Sequence, residues 1–301
     1  MKTFKQLGLI GCGMMGGSFA LAAKKAGLVE RVVGYSKSPH NAEQAKQMGA
    51  VDITAASILQ AAIGSDLILV SVPVAATLEV FKALQFGLQP DTLIMDVGST
   101  KQSVIDAATK ALGELPSNFV PAHPIAGKEK AGITEADVKL YLGKRVILTP
   151  AHLTDNSFTQ QAIGVWQALG TSVSTMTAET HDAIFAAVSH VPHLLAFAYI
   201  NGLRGQSSAD DYWKLAGSGF RDFTRIAASD PDVWRDILMT NRDEILKQTS
   251  VFQNSLRQLE HSMMMSDATG LKRLIESASS ARGQWEMNAK KRVPHKRVPH
   301  V

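Results

Sequence analysis

Short, nearly continuous apolar runs alternate with amphipathic stretches through the first half of the chain. The runs at 7–10, 31–35, 67–72, 92–97, 118–122 and 145–149 predict buried strands. Their lack of polar alternation fits a sheet covered on both faces. Between them, 15–26 and 100–112 carry apolar residues at helical spacing. Strands alternating with helices predict a parallel, doubly wound sheet. After Met176 the strand pattern stops, and 178–204, 210–228, 231–248 and 250–286 predict helices, the third opened by Asp230-Pro231. The expected organisation is an α/β domain over 1–176, an all-α domain over 177–288 and a basic, disordered tail over 289–301, which repeats Lys-Arg-Val-Pro-His. Long helices have few faces on which to bury themselves alone, so the second domain is expected to pack on a copy of itself as a homodimer.

Charge and composition narrow the function. The formal charge is +4, but Lys290, Lys291, Arg292, Lys296 and Arg297 crowd the last dozen residues. The body is near neutral, which argues against a nucleic-acid partner. Four Tyr and four Trp are too few for an aromatic platform, and a single cysteine rules out an internal disulfide. No apolar run reaches the ~18 residues of a membrane span, and no charged-then-apolar leader precedes the first strand. No membrane partner and a cytoplasmic location are therefore expected.

The first candidate site is Gly11-Cys12-Gly13-Met14-Met15-Gly16, a G-x-G-x-x-G between a predicted strand and a predicted helix. Gly11 permits the tight turn, Gly13 lets backbone approach a pyrophosphate, and Gly16 lets helix and strand pack closely. The free N–H groups at the helix start suit phosphate. Met14, Met15, Val72, Pro73 and Thr100 are further expected cofactor contacts. Cys12 reads as a small residue filling a tight slot, since no cation flanks it to favour a thiolate. An NAD site usually ends the second strand in an acid; here Ser36-Lys37-Ser38 stands instead. Hydroxyls and a cation can donate to a 2′-phosphate, so NADP is expected rather than NAD.

The chemistry is expected at two loops that follow strands. In Asp96-Val97-Gly98-Ser99-Thr100-Lys101, Ser99 is either a plain helix cap or a donor facing the nicotinamide. In Ala122-His123-Pro124-Ile125-Ala126-Gly127-Lys128-Glu129, His123 sits where it can take a proton from a substrate hydroxyl. His181, His190 and His193 lack metal-site spacing, and no metal is expected.

Together with Ser-His-Val-Pro-His at 189–193 and Gly-Phe-Arg-Asp-Phe-Thr-Arg-Ile-Ala at 219–227, these motifs resemble the TyrA family, the prephenate and arogenate dehydrogenases. The resemblance spans nearly all of 5–287. It implies a Rossmann-type dinucleotide-binding domain followed by an all-α dimerisation domain. It also implies oxidative decarboxylation of a cyclohexadienyl acid in tyrosine biosynthesis. By motif, His123 resembles the histidine that hydrogen-bonds the substrate's ring hydroxyl. Ser99 resembles the serine between that hydroxyl and the nicotinamide. Arg225 resembles the arginine that binds a substrate carboxylate, His193 a substrate-pocket histidine, and Trp234 and Glu129 pocket neighbours. His190 reads as a packed residue. Lys128 stands where the family often has a small or polar residue. Two alternatives remain open. One is another two-domain dehydrogenase of the 3-hydroxy-acid or imine class, for which Lys214 is the tempting base. The other is a non-catalytic dinucleotide-binding protein.

Overall fold

The computed structural model describes residues 3–128 and 131–291. Strands β1 (Phe4–Ile10), β2 (Val29–Tyr35), β3 (Ile53–Thr54), β4 (Leu67–Val70), β5 (Leu93–Asp96) and β6 (Phe119–Val120) form a sheet in the order β3-β2-β1-β4-β5-β6. Every pairing in it is parallel. This is the doubly wound Rossmann order, and it reverses between β1 and β4. Successive residues of β4 serve opposite cores: Leu67 and Leu69 pack with Phe19 and Trp166, Ile68 and Val70 with Phe81 and Phe119. A strand buried on both faces has no polar side to show, which is why the apolar runs are unbroken.

The expected strand at 118–122 is two strands in two sheets. Pro121 has no N–H to give to a ladder. The chain leaves the parallel sheet there and enters a second one, with β7 (Ala122–Pro124) antiparallel to β8 (Arg145–Leu148) and β8 parallel to β9 (Ser172–Thr175). His123 thus lies in a strand of the smaller sheet. Two short strands had no apolar signal: β3 has two residues, and β9, Ser-Val-Ser-Thr, is largely exposed.

The second half is helical with different joints. Residues Ala178–Arg204 form one 27-residue helix that contains a π-type turn at Ala186–His190. Contrary to the sequence reading, an 18-residue window of it has a mean hydropathy of 1.6, enough by length and composition to cross a membrane. Its buried positions include His181, Asp182 and His190. The expected helix over 210–228 is broken at Ala216-Gly217 into Ala209–Leu215, Ser218–Thr224 and a 3-10 turn, Arg225–Ala228. Pro231–Thr240 begins where expected, with Asp230 accepting from the Asp232 and Val233 N–H groups at 3.0 Å each. The next helices, Arg242–Met264 and Ala268–Lys291, are separated at 265–267, where Ser266 has φ 54°, and not at 249. The last helix continues into the segment expected to be disordered from 289, and 292–301 lie outside the described residues. Contacts group the chain up to Ile245 into one compact unit and the chain from Leu246 into a second.

Candidate active site

The glycine turn closes the carboxyl end of β1. Gly11 has φ +103°, its N–H donates to the Tyr35 carbonyl at 2.8 Å, and a Cβ there would strike the Ser71 backbone. Gly16, in the helix Met14–Lys25, sits against the Gly11 carbonyl. Gly13 differs, since a Cβ on it would meet nothing within 4 Å. Packing does not demand that glycine, but a pyrophosphate brought close to the helix start would. Gly13→Ala is therefore expected to keep its melting temperature while raising the coenzyme KM on the order of tenfold, ~1.4 kcal/mol. Gly11→Ala should lose stability first, and equal melting losses in the two variants would contradict this division. Cys12 is buried with its Sγ 3.5 Å from the Tyr35 carbonyl, and burial pushes its thiol up to about 12, so it acts as filler.

A cavity of about 330 Å³ opens beside this turn. Gly13, Met14 and Met15 line one side, Val72 and Pro73 the end of β4, and Ser99 and His123 another side. Trp234 and Lys128 also line it. Lys128 donates to the Glu135 carbonyl at 2.9 Å. Thr100 is fully buried outside the lining, and its hydroxyl meets those of Ser103 and Thr240 at 2.8 and 3.2 Å. Ser99 is not the helix cap. The helix Gln102–Leu112 is capped by Asp182, whose two oxygens accept from the Lys101 and Gln102 N–H groups at 2.8 and 2.9 Å.

Asp182 also meets His181 Nδ1 at 2.7 Å, and His181 Nε2 lies 2.8 Å from His123 Nδ1. Phe185 walls this row, its ring stacked on His181 at 4.4 Å and tilted against His123 at 4.8 Å. Enclosure holds His123 well below its ordinary pKa, and His181, Lys101 and His190 push the same way. His123 is therefore neutral near pH 7, as a base must be. Burial likewise lowers His181, against the pull of Asp182. For Asp182, burial acts upward, but the bonds from His181 and the two N–H groups outweigh it and hold the carboxyl below its usual value.

Beneath the cavity lies a buried ion pair. Lys101 donates its Nζ to Asp96 and, at 2.8 Å, to the Ala122 carbonyl. Asp96 accepts from the Gly98 and Ala122 N–H groups at 2.7 and 2.9 Å. One pair thus fixes both the loop bearing Ser99 and the strand bearing His123.

On the helical side, His193 stacks on Trp234 with centroids 3.5 Å apart, and its Nδ1 donates to the Ser189 carbonyl at 2.9 Å. Arg225 is exposed, does not line the cavity, and acts electrostatically on His193. His190 is packed, as expected. Its Nδ1 accepts from Asn241 at 3.1 Å, and burial lowers it to about 4. Glu129 lies outside the described residues. Ser36 and Lys37 line a separate groove at the end of β2, together with Glu43, while the Ser38 hydroxyl caps the helix Pro39–Gln47 by accepting from Asn41.

Family models agree with this architecture. Residues 19–175 match the nucleotide-binding domain of prephenate dehydrogenase and 177–277 its dimerization domain. The prephenate dehydrogenase of Bacillus subtilis (strain 168) is 33% identical over 95% of this chain and 77% of its own length. The chain belongs to the prephenate dehydrogenase family. The cyclohexadienyl dehydrogenase of Zymomonas mobilis is also 33% identical, over 94% of this chain and 96% of its own. A crystal structure of prephenate dehydrogenase from A. aeolicus, in complex with hydroxyphenyl propionate and NAD+, superposes with a TM-score of 0.88 at 35% identity, covering 94% of this chain and 99% of that one.

Within this prephenate dehydrogenase fold, sequence reasoning did not single out His181, Asp182 or the Asp96–Lys101 pair. His181 and Asp182 lie 58 or more residues from His123, and Asp182 lies 80 from the first residue of the helix it caps, so no local spacing joins them. Lys101 was visible as part of a motif, but nothing in the sequence marks it as fully buried.

Proposed function

We propose that this chain oxidises and decarboxylates prephenate or arogenate, with hydride passing to NADP, in tyrosine biosynthesis. The observation that carries the reading is one cavity holding both the glycine turn, with space open at Gly13, and a neutral histidine, His123, beside Ser99. The glycine turn fits a dinucleotide. Bound there, the nicotinamide supplies the hydride acceptor. His123 takes the ring-hydroxyl proton as that carbon is oxidised. Ser99, free of any capping duty, donates to the same hydroxyl and orients it. The ring carboxylate then leaves as carbon dioxide and the ring becomes aromatic, so the protein's work is to position and to hold a proton. Trp234 and His193 form an aromatic wall for the substrate, and Arg225 and Glu129 supply charge to its carboxylates or its amine. We take 1–176 as the dinucleotide-binding domain and 177–288 as the substrate and dimerisation domain. Exposed apolar side chains such as Tyr199, Leu215 and Phe223 suit a homodimer interface. A cytoplasmic biosynthetic enzyme needs no nucleic-acid or membrane partner.

The test crosses prephenate and arogenate with NAD and NADP while following reduced-nicotinamide absorbance. Turnover of neither substrate by folded protein would sink the reading. The relative from A. aeolicus carries NAD+. NADP is proposed here on Ser36 and Lys37, against the opposing charge of Glu43 in the same groove. Lys37→Ala should then lower kcat/KM with NADP on the order of tenfold and leave NAD nearly unchanged, since one phosphate contact of ~1.4 kcal/mol is removed. Equal losses with both coenzymes would overturn the NADP assignment.

A further inference from the structure

We infer that His181 and Asp182 are positioning residues that hold His123 as its Nδ1–H tautomer and accept its charge through a hydrogen-bonded His–His–Asp row. The inference deepens the proposed function and rests on His123 being the base.

The hydrogen bonds fix the protons. Ionised Asp182 can only accept, so His181 Nδ1 must carry the hydrogen of their 2.7 Å contact. Neutral His181 then offers Nε2 as a lone pair. The 2.8 Å contact from His123 Nδ1 to that atom requires the hydrogen on His123 Nδ1. The remaining nitrogen, His123 Nε2, is left bare, and among the described residues no protein group bonds it. His123 lines the cavity, so this lone pair is the one available to a substrate hydroxyl. His190 takes no part in the row, because its Nδ1 faces the Asn241 amide.

Proton balance follows from the same geometry. A hydroxyl proton arrives at His123 Nε2, and the Nδ1 proton can shift to His181 Nε2. His123 is again neutral, now protonated at Nε2, and His181 is the cation. That cation abuts the Asp182 carboxylate, which the Lys101 and Gln102 N–H groups keep ionised. One proton enters the row, one moves within it, and no co-reactant is needed. The charge comes to rest on the ring that bonds the carboxylate, 2.7 Å from Asp182.

Two experiments test this. Nitrogen-15 NMR of histidine-labelled, full-length protein at neutral pH reads tautomers without any turnover. Both His123 and His181 should be Nδ1–H with bare Nε2, the minority form for free imidazole; an Nε2–H signal for His123 overturns the inference. In kinetics, Asp182→Asn should lower kcat about 10²-fold with little change in KM, as expected when a base loses its orienting carboxylate. The acid limb of kcat should also move to lower pH, because the row loses the anion bonded to it. The other groups felt there, Lys101, Asp96 and His190, stay in place. Asp182→Glu should restore part of the rate. Because Asp182 also caps a helix, His181→Gln serves as a second variant. It should show the same fall in kcat while leaving the cap intact. Folded variants with unchanged kcat and an unmoved limb overturn the inference. A substrate-inactive unaltered protein would sink the base reading, whereas a wrong tautomer in an active enzyme would sink only this one.

Discussion

His123→Asn is expected to lower kcat by about 10²–10⁴-fold, the contribution of a well-placed base. Asparagine keeps a polar group of similar reach, so the cavity should still form and KM should change little. Effects on kcat and kcat/KM together would mark an interaction made in the transition state. The unaltered enzyme also has a defined pH signature. The rate needs neutral His123, so it rises with pH through the pKa of that group. Enclosure, with His181, Lys101 and His190 adding to it, depresses that pKa well below 6.5. The rise should therefore lie in acid, well below 6.5, and the profile should be flat from there to neutrality. A limb at or above 6.5, or a His123→Asn variant of full activity, would remove this residue from the proton transfer.

The second large effect concerns stability. Lys101→Met leaves Asp96 charged and buried, with only the Gly98 and Ala122 N–H groups as partners. Breaking a buried pair from one side costs about 3–5 kcal/mol, since the surviving charge keeps its desolvation penalty. For a unit of this size that is on the order of 10 °C in melting temperature. Asp96→Asn together with Lys101→Met should recover part of the loss, because the stranded charge is gone. Activity should fall in the single variant as well, since Lys101 holds the Ala122 carbonyl next to His123. A loss below about 1 kcal/mol would mean that the pair is solvated, in conflict with its burial.

The sequence made the first half of the fold legible wherever both faces of a strand are buried. The run at 67–72 gave β4, and 7–10 gave the carboxyl end of β1, because unbroken apolar residues leave few alternatives to a covered strand. It failed where geometry turns on one backbone group or on exposure. Pro121 divides a continuous apolar run between two sheets, and β9 carries almost no apolar signal. In the helical half, Gly217 and Ser266 set joints that periodicity alone ran through or displaced. Gly13 and Ser99, borne by segments that follow strands, were legible because such ends face the crevice of a doubly wound sheet, whereas His123, read as the end of a strand running into a loop, lies within β7 of the smaller sheet and lines the same cavity from there. Thr100 lay one residue too far and turned inward. The row behind His123 was not legible, since its members meet only after the helix Ala178–Arg204 has packed on the helix Gln102–Leu112.

That meeting has a consequence for recombination between relatives. The family's two segments divide near 176 in sequence, yet the N–H groups that open Gln102–Leu112 are satisfied by a side chain from position 182. A chimera that joins the first segment of one enzyme to the second of another inherits a cap and a helix that were never fitted together. Its tolerance should depend less on where the junction falls than on whether residues 101, 123, 181 and 182 travel as a set. Exchanges that keep the set have the better prospect of yielding a folded, working hybrid.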